Sequence, residues 1–242
     1  MKKMTFAFII IAVFFLFANF VSAHQSRIVT EKTTVVQNPE ISQAFYGELK
    51  GAKNVFEISS AEPFELYVGL LVPDIEGARK DFYVEIYTQE DIPEEGETNI
   101  QKKTSISILN GNDFNWTSFY EPFAGDNYFQ GPEYAEIEPG EAARGKQTEP
   151  GNYLVQVFNP DNEGKYVLAV GTREEFPPAE IINTVKNLPQ LKTEFFGKSP
   201  LLIFWNLIGL YILCSVLAVV LMAWTIKIIL RKARGKKDIK TE

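Results

Sequence analysis

Side chains that could bind a ligand are concentrated between residues 110 and 134, where aromatic rings alternate with acidic and amide groups. Hard cations such as calcium take oxygen ligands, and flat rings beside polar groups suit a sugar. The sequence therefore predicts a calcium- or glycan-binding patch on loops. A second interpretation stays open, in which the rings fill the edge of the fold and the acids are solvated turn residues. The candidate ligand-binding residues are Asp113, Trp116, Glu121, Asp126 and Glu133.

Most enzymatic chemistry is excluded by the side chains that the sequence lacks. The only histidine is His24 and the only cysteine is Cys214, so neither a Ser-His-Asp triad nor a Cys-His pair can be assembled. Zinc, copper and haem sites built on these ligands are excluded for the same reason. We therefore expect a protein without catalytic residues and with no cofactor, unless calcium binds at the patch.

Both ends of the chain carry apolar segments typical of export and anchoring. Two lysines precede an apolar run that ends in Val21-Ser22-Ala23, as in a cleavable signal peptide. Residues 201–226 carry no charge and are long enough to cross a bilayer as a helix. The basic residues that follow are expected on the cytoplasmic side. The sequence predicts a single-pass cell-membrane protein with its N-terminal domain outside and its C-terminus inside.

The region between these segments is acidic, and the whole chain has a net charge of −7 although its last residues are basic. An acidic surface repels phosphate backbones, so no nucleic acid partner is expected. No cysteine occurs between residues 24 and 200, which favours a bacterial origin for an exported chain. The expected partners are the lipid bilayer and a protein or glycan outside the membrane.

Alternation with a period of two predicts that the acidic region is built of strands. Phe64, Leu66, Val68 and Leu70 share one face of such a strand. Turn signals separate the strands, and the one at residues 159–164 is expected to close a hairpin. Without amphipathic helices between strands, the pattern predicts an antiparallel, jelly-roll-like β-sandwich. After it, residues 179–188 are expected to form a short helix that Pro189 ends, and residues 92–103 and 136–149 to form surface loops.

The predicted organisation thus has five parts, and it favours a non-enzymatic, membrane-anchored interaction or scaffold protein. A calcium- or glycan-binding module and a carboxylate-dependent glycan hydrolase are the alternatives. The parts are a signal peptide (1–23), an extracytoplasmic β-sandwich (24–176), a juxtamembrane linker with a short helix (177–200), a transmembrane helix (201–226) and a basic cytoplasmic tail (227–242).

Residues 45–171 resemble the bacterial pre-peptidase C-terminal type of β-sandwich domain. The resemblance is carried by Tyr46-Gly47-Glu48-Leu49, by Pro150-Gly151-Asn152-Tyr153 and by Tyr166-Val167-Leu168. It implies a β-sandwich of the kind that accompanies secreted enzymes and has no catalysis of its own, and hence binding or structural work. The chain departs from that pattern in a long insert at residues 110–150 and in having no attached peptidase.

Overall fold

The computed structural model describes residues 24–92, 100–122, 124–175 and 177–238. The predicted signal peptide and the last four residues of the predicted tail lie outside these ranges. The described chain is mainly β, with helical structure after residue 177. Its strands are β1 (Gln25–Ile28), β2 (Thr33–Val36), β3 (Gln43–Lys50), β4 (Asn54–Ser60), β5 (Phe64–Leu66), β6 (Val68–Pro73), β7 (Tyr83–Ile92), β8 (Ile100–Asn110), β9 (Thr117–Glu121), β10 (Asp126–Tyr134), β11 (Lys146–Thr148), β12 (Gly151–Phe158) and β13 (Glu163–Val170).

The strands form a sandwich-like arrangement of two large mixed sheets. One sheet has the order β1-β3-β13-β6-β10-β9, and the other has the order β2-β4-β12-β7-β8. Strands β5 and β11 form a third, two-stranded sheet. Most pairs are antiparallel, but β1 runs parallel to β3 and β2 runs parallel to β4. The prediction of a wholly antiparallel sandwich was therefore wrong in these two pairs.

The parallel pairs arise because the chain crosses between the two sheets twice in the same sense. The segment from β1 to β2 leaves the six-stranded sheet and enters the five-stranded sheet, and the segment from β3 to β4 does the same beside it. Two neighbouring crossings with one direction must pair in parallel. Strands β12 and β13 are also divided between the sheets, so the turn at residues 159–164 does not close the predicted hairpin.

The core lies between the sheets and consists of the inward-facing apolar residues of both. Tyr166 is fully buried in it and its ring packs against Phe82, 5.8 Å between centroids. The same ring lies directly on Gly47, where an added Cβ would stand 2.3 Å from the Tyr166 ring carbon Cζ. A glycine is required at position 47 because any side chain would occupy the space of this ring.

Two of the predicted loops contain strand residues. The first, residues 92–103, is shortened from both sides because β7 continues to Ile92 and β8 starts at Ile100. Residues 93–99 lie outside the described ranges. The second, residues 136–149, includes β11, which pairs with β5. In both places polar and charged residues, such as Lys102 and Lys103 in β8, hide the alternation that predicts a strand. Backbone hydrogen bonds to the neighbouring strand stabilise the strand nevertheless.

A helical segment follows the last strand and covers the outer face of the six-stranded sheet. It comprises α1 (Pro178–Gln190), a π-helical turn (Leu191–Phe195) and a 3₁₀ turn (Pro200–Trp205). Leu191, Phe195 and Phe196 are buried against this sheet. Pro189 does not end α1 as predicted, because it lies inside the helix and the chain continues into the π-helical turn.

The final helix, α2 (Leu207–Asp238), has 32 residues and begins six residues later than the predicted membrane-spanning segment. Many of its apolar side chains are exposed, including Leu213, Val219 and Trp224. None of the helices that the described residues form is both long enough and apolar enough to pass through a membrane.

Candidate functional site

The structure separates the five candidate ligand-binding residues into different environments. Asp113 lies in an exposed turn after β8 and accepts a hydrogen bond from Asn110. Trp116 is half-buried, and its Nε1 donates to the carbonyl oxygen of Gly111 at 2.7 Å. Its ring packs on Gly131, where a Cβ would approach Cη2 to 2.5 Å. This ring therefore packs against the edge of the core and remains partly exposed.

Glu133 lies on β10, at the point where its pairing with β6 shifts register. It accepts a hydrogen bond from Gln130 and interacts with the hydroxyl of Tyr67. Burial, together with the Glu133 carboxylate, raises the pKa of Tyr67 above its ordinary value. The carboxylate is thus engaged by its own neighbours on the six-stranded sheet.

Glu121 and Asp126 are the two candidates that the fold brings together. They are opposite each other in the β9–β10 ladder and flank the turn that joins these strands. The Asp126 side chain is 1% exposed and is contacted by two lysines from the helical segment. Lys192 Nζ lies 2.6 Å from Oδ2, and Lys198 Nζ lies 3.0 Å from Oδ1. An ammonium group therefore occupies the position next to each Asp126 oxygen.

The turn between β9 and β10 also holds the start of α2. The carbonyl oxygen of Ala124 accepts hydrogen bonds from Lys192 Nζ and from Asn206 Nδ2, each at 2.7 Å. Asn206 Oδ1 in turn accepts from the backbone N–H of Gly209 at 2.9 Å, which caps the first turn of α2. We call this set of contacts the junction; it is formed by Glu121, Ala124, Gly125 and Asp126 together with Lys192, Lys198 and Asn206.

Two conformational features make the junction compact. Gly125 has φ +75°, a left-handed conformation that suits glycine, and a Cβ on it would lie 2.9 Å from the Asn206 Cβ. The turn is closed from inside by Glu121, whose Oε2 accepts the N–H of Ala124 at 2.7 Å. The β9–β10 turn can thus approach Asn206 closely because position 125 has no side chain.

Aromatic side chains surround the junction on the side of the sheet. The hydroxyls of Tyr46 and Tyr128 are 3.0 Å apart, and the rings of Phe195 and Phe196 pack edge-on against them. Burial raises the pKa of both tyrosines; the mutual hydrogen bond partly offsets this for Tyr46, while the Tyr46 hydroxyl adds to it for Tyr128. The buried lysine and carboxylate therefore lie beside a water-poor, low-dielectric layer, where electrostatic interactions are strong.

The π-helical turn places the lysine that sequence analysis missed. In that turn Leu191, Lys192 and Phe195 are buried together, and the five-residue hydrogen-bond spacing directs Lys192 toward the β9–β10 turn. Such turns occur often at functional positions. No pattern in the sequence singled it out, because Gln190, Thr193 and Glu194 stand around Lys192 as they would in an ordinary exposed turn of helix.

The junction does not resemble a cation site. Both Asp126 oxygens face lysine ammonium groups, which would repel a calcium ion. In the described ranges no three His, Cys, Asp or Glu side chains come together in a way that could hold a metal ion. What the arrangement does offer is a primary amine next to a carboxylate, with both groups removed from solvent.

Comparison with known proteins gives a likeness of structure and none of sequence. No family model matches the chain, and no curated protein matches it. A search of solved structures finds the pre-peptidase C-terminal domain of a collagenase from Bacillus anthracis, with 10% sequence identity and a TM-score of 0.28. The match covers 62% of this chain and 96% of that one. The resemblance to this type of domain is thus confirmed as a weak one, and at this level nothing about function transfers.

Proposed function

We propose that the chain is a non-enzymatic, membrane-anchored protein whose β-rich body is an interaction or scaffold domain at the outer face of the cell membrane. The observation that supports this most is the junction. A domain that presents a binding surface at a membrane needs a rigid connection to its anchor. Ala124 of the body accepts a hydrogen bond from Asn206 at the beginning of α2, and Asp126 pairs with Lys192 and Lys198 of the helical segment that precedes α2.

The distribution of exposed apolar side chains supports an anchor in the C-terminal part. Within residues 201–226 the exposed large apolar residues follow one another closely, with Trp205 at 84% and Leu213 at 64%. In the body they are more dispersed, for example at Val35 and Ile137, with Ile106 and Ile108 as neighbours on one face of β8. Dispersed apolar residues are ordinary on the surface of a soluble domain. A continuous exposed apolar surface is typical of a region that lipid or another protein covers. None of the described helices has the length and apolarity of a membrane span, so the anchor is tested directly in cells.

The topology is tested by labelling single cysteines with a membrane-impermeant maleimide in intact cells. The background carries Cys214→Ala, and the two reporter variants are Ala61→Cys in the body and Thr241→Cys at the end of the chain. Ala61 is exposed, so a cysteine there is accessible without disturbing the core. We expect labelling of Ala61→Cys in intact cells, and of Thr241→Cys only after the membrane is permeabilised.

Several outcomes would overturn the proposal. Labelling of both positions in intact cells, or of Thr241→Cys alone, would contradict the orientation. Extraction of the full chain from membranes by alkaline carbonate would contradict the anchor, because a chain held by an apolar helix stays with the lipid. A catalytic turnover that is lost on substitution of any single carboxylate of the body would contradict the non-enzymatic assignment.

A further inference from the structure

Lys192 and Asp126 combine three features that are rarely found together. They are distant in sequence, 66 residues apart, yet their Nζ and Oδ2 atoms are 2.6 Å apart. Both side chains are 1% exposed. They also bridge two separate units of the fold, the β9–β10 turn and the π-helical turn. A buried ion pair of this kind is expensive to desolvate and gives little net stabilisation, so its presence invites another explanation.

We propose that the Lys192 amine and the Asp126 carboxyl condense to an intramolecular isopeptide bond that fixes the helical segment to the body. A proton first passes from Lys192 Nζ to Asp126 Oδ2, 2.6 Å away, because an ammonium nitrogen has no lone pair. The neutral amine then attacks Cγ, a new C–N bond forms, and the bond from Cγ to Oδ2 breaks. Two of the three ammonium protons leave with Oδ2 as one water molecule, and the third remains on the amide nitrogen. An ammonium and a carboxylate thus become a neutral amide and water, with no other reactant.

The surroundings favour this step in two ways. First, a site without solvent favours the neutral amide over two buried charges. Second, the fold holds the amine next to the carboxylate, which replaces a bimolecular encounter with a reaction inside one molecule. The phenyl and phenol rings of Phe196 and Tyr128 pack 5.4 Å apart at this side and keep bulk water from the pair.

Lys198 is placed to assist the condensation. Its Nζ is 3.0 Å from Asp126 Oδ1, the oxygen that stays on the carbon and gains negative charge while Nζ of Lys192 adds. A fixed ammonium group at this oxygen stabilises the charge as it develops. The carbonyl oxygens of Ala124 and Gly125 accept from Lys192 Nζ at 2.7 and 3.4 Å and orient the amine. Lys198 is therefore a catalytic residue of this self-modification.

The released water has a place to go. A cavity of about 70 Å³ lies next to the junction and is lined by Glu121, Ala124 and Leu191, among others. Thr184 also lines it, and its Oγ1 is buried without a hydrogen-bond partner among the described residues. Most of the lining is apolar, but the Thr184 hydroxyl offers a hydrogen-bond partner to a single water molecule.

The test is the intact mass of the full chain purified in detergent, followed by tryptic mapping. We expect a mass lower than the sequence value by one water molecule. Trypsin does not cleave after an amidated lysine, so residues 104–144 should appear joined to residues 187–198. Lys192→Arg and Asp126→Ala should show the full mass and separate peptides. Asp126→Asn should instead lose one ammonia molecule, because the amide nitrogen then leaves.

A further variant, Lys198→Met, keeps both reacting groups but lacks the ammonium group at Asp126 Oδ1. The fraction of chains with the isopeptide bond after a fixed time should therefore be lower in this variant. A full-mass wild-type chain with separate peptides would overturn the proposal and leave an ionic pair. Loss of water that maps to a single peptide, as a succinimide at Asp126 would give, would overturn it too. The measurement is made on the wild-type chain, so its result holds even if a variant fails to fold, and it is independent of the membrane topology.

Discussion

Replacement of Lys192 by alanine is the change from which the structure predicts the largest loss of stability at the junction. It leaves the Asp126 carboxylate buried, with only Lys198 Nζ at 3.0 Å to offset its charge. Breaking a buried pair by removing one partner costs about 3–5 kcal/mol. Because Lys198 remains, we expect the lower end of this range, about 3 kcal/mol, for an ionic pair.

A covalent link would raise this figure. An isopeptide bond between residues 66 positions apart closes a long loop in the unfolded chain. By the chain-entropy relation for cross-links, a loop of this length contributes about 4 kcal/mol. If the bond is present, Lys192→Ala should therefore cost about 7 kcal/mol in free energy of unfolding, or roughly twice the value for the ionic pair.

The matched control is Lys198→Ala. Lys198 contacts the same carboxylate, but its side chain is 32% exposed. Solvent weakens such a pair, so a cost of about 0–1 kcal/mol is expected from the contact alone. If the wild-type chain carries the isopeptide bond between Lys192 and Asp126, the comparison uses Lys198→Ala molecules that carry the same bond. Mass spectrometry identifies these molecules.

The assay is urea unfolding of the full chain in detergent, followed by the fluorescence of Trp116, in a background with Trp205→Phe and Trp224→Phe. Trp116 packs on the core edge and reports on the body. Equal costs for Lys192→Ala and Lys198→Ala would refute the reasoning, since it assigns the larger cost to the fully buried Lys192 and the smaller one to the partly exposed Lys198. A second check is Asp126→Leu with Lys192→Met, which removes both charges and should be more stable than Lys192→Ala alone.

Three other predictions follow from the body. Tyr166→Phe should raise stability by about 1 kcal/mol in urea unfolding, because the buried hydroxyl has no partner among the described residues; a loss would contradict this. Gly47→Ala should cost at least about 1–3 kcal/mol, since the new Cβ overlaps the Tyr166 ring; Gly51→Ala has open space but a positive φ and should cost less. Calcium and chelator should leave the melting temperature unchanged, because the Asp126 oxygens are occupied by lysines.

The strands could be predicted from the sequence where one face is buried, because alternation then follows directly from packing. Phe64, Leu66, Val68 and Leu70 are all buried as their spacing indicates. Alternation does not reveal which sheet a strand joins, however. The turn at Asn159 therefore looked like a hairpin, while the structure uses it to pass from one sheet to the other.

The junction was out of reach for a different reason. Asp126 was selected for its carboxylate, but its partners Lys192 and Lys198 are far away in sequence and come close only through the π-helical turn. Periodicity of 3.6 residues predicts an α-helix and gives no indication of where a wider turn is inserted. The density of acids and rings at residues 110–134 was a real feature, yet packing explains Trp116 and ion pairing explains Asp126.

The first strand of the body is stabilised by contacts with the helix that follows the last strand. Strand β1 is held by α1, since Asn187 Nδ2 donates to the carbonyl oxygen of Ser26 at 3.1 Å and Arg27 pairs with Glu180 at 2.7 Å. A chain emerging from synthesis must wait for residues near 187 before this edge strand is secured. Until then β3 has an open flank that could pair with another chain. Chains truncated before α1 are therefore expected to associate through this open edge. A tag fused directly before Gln25 would start close to the helical segment.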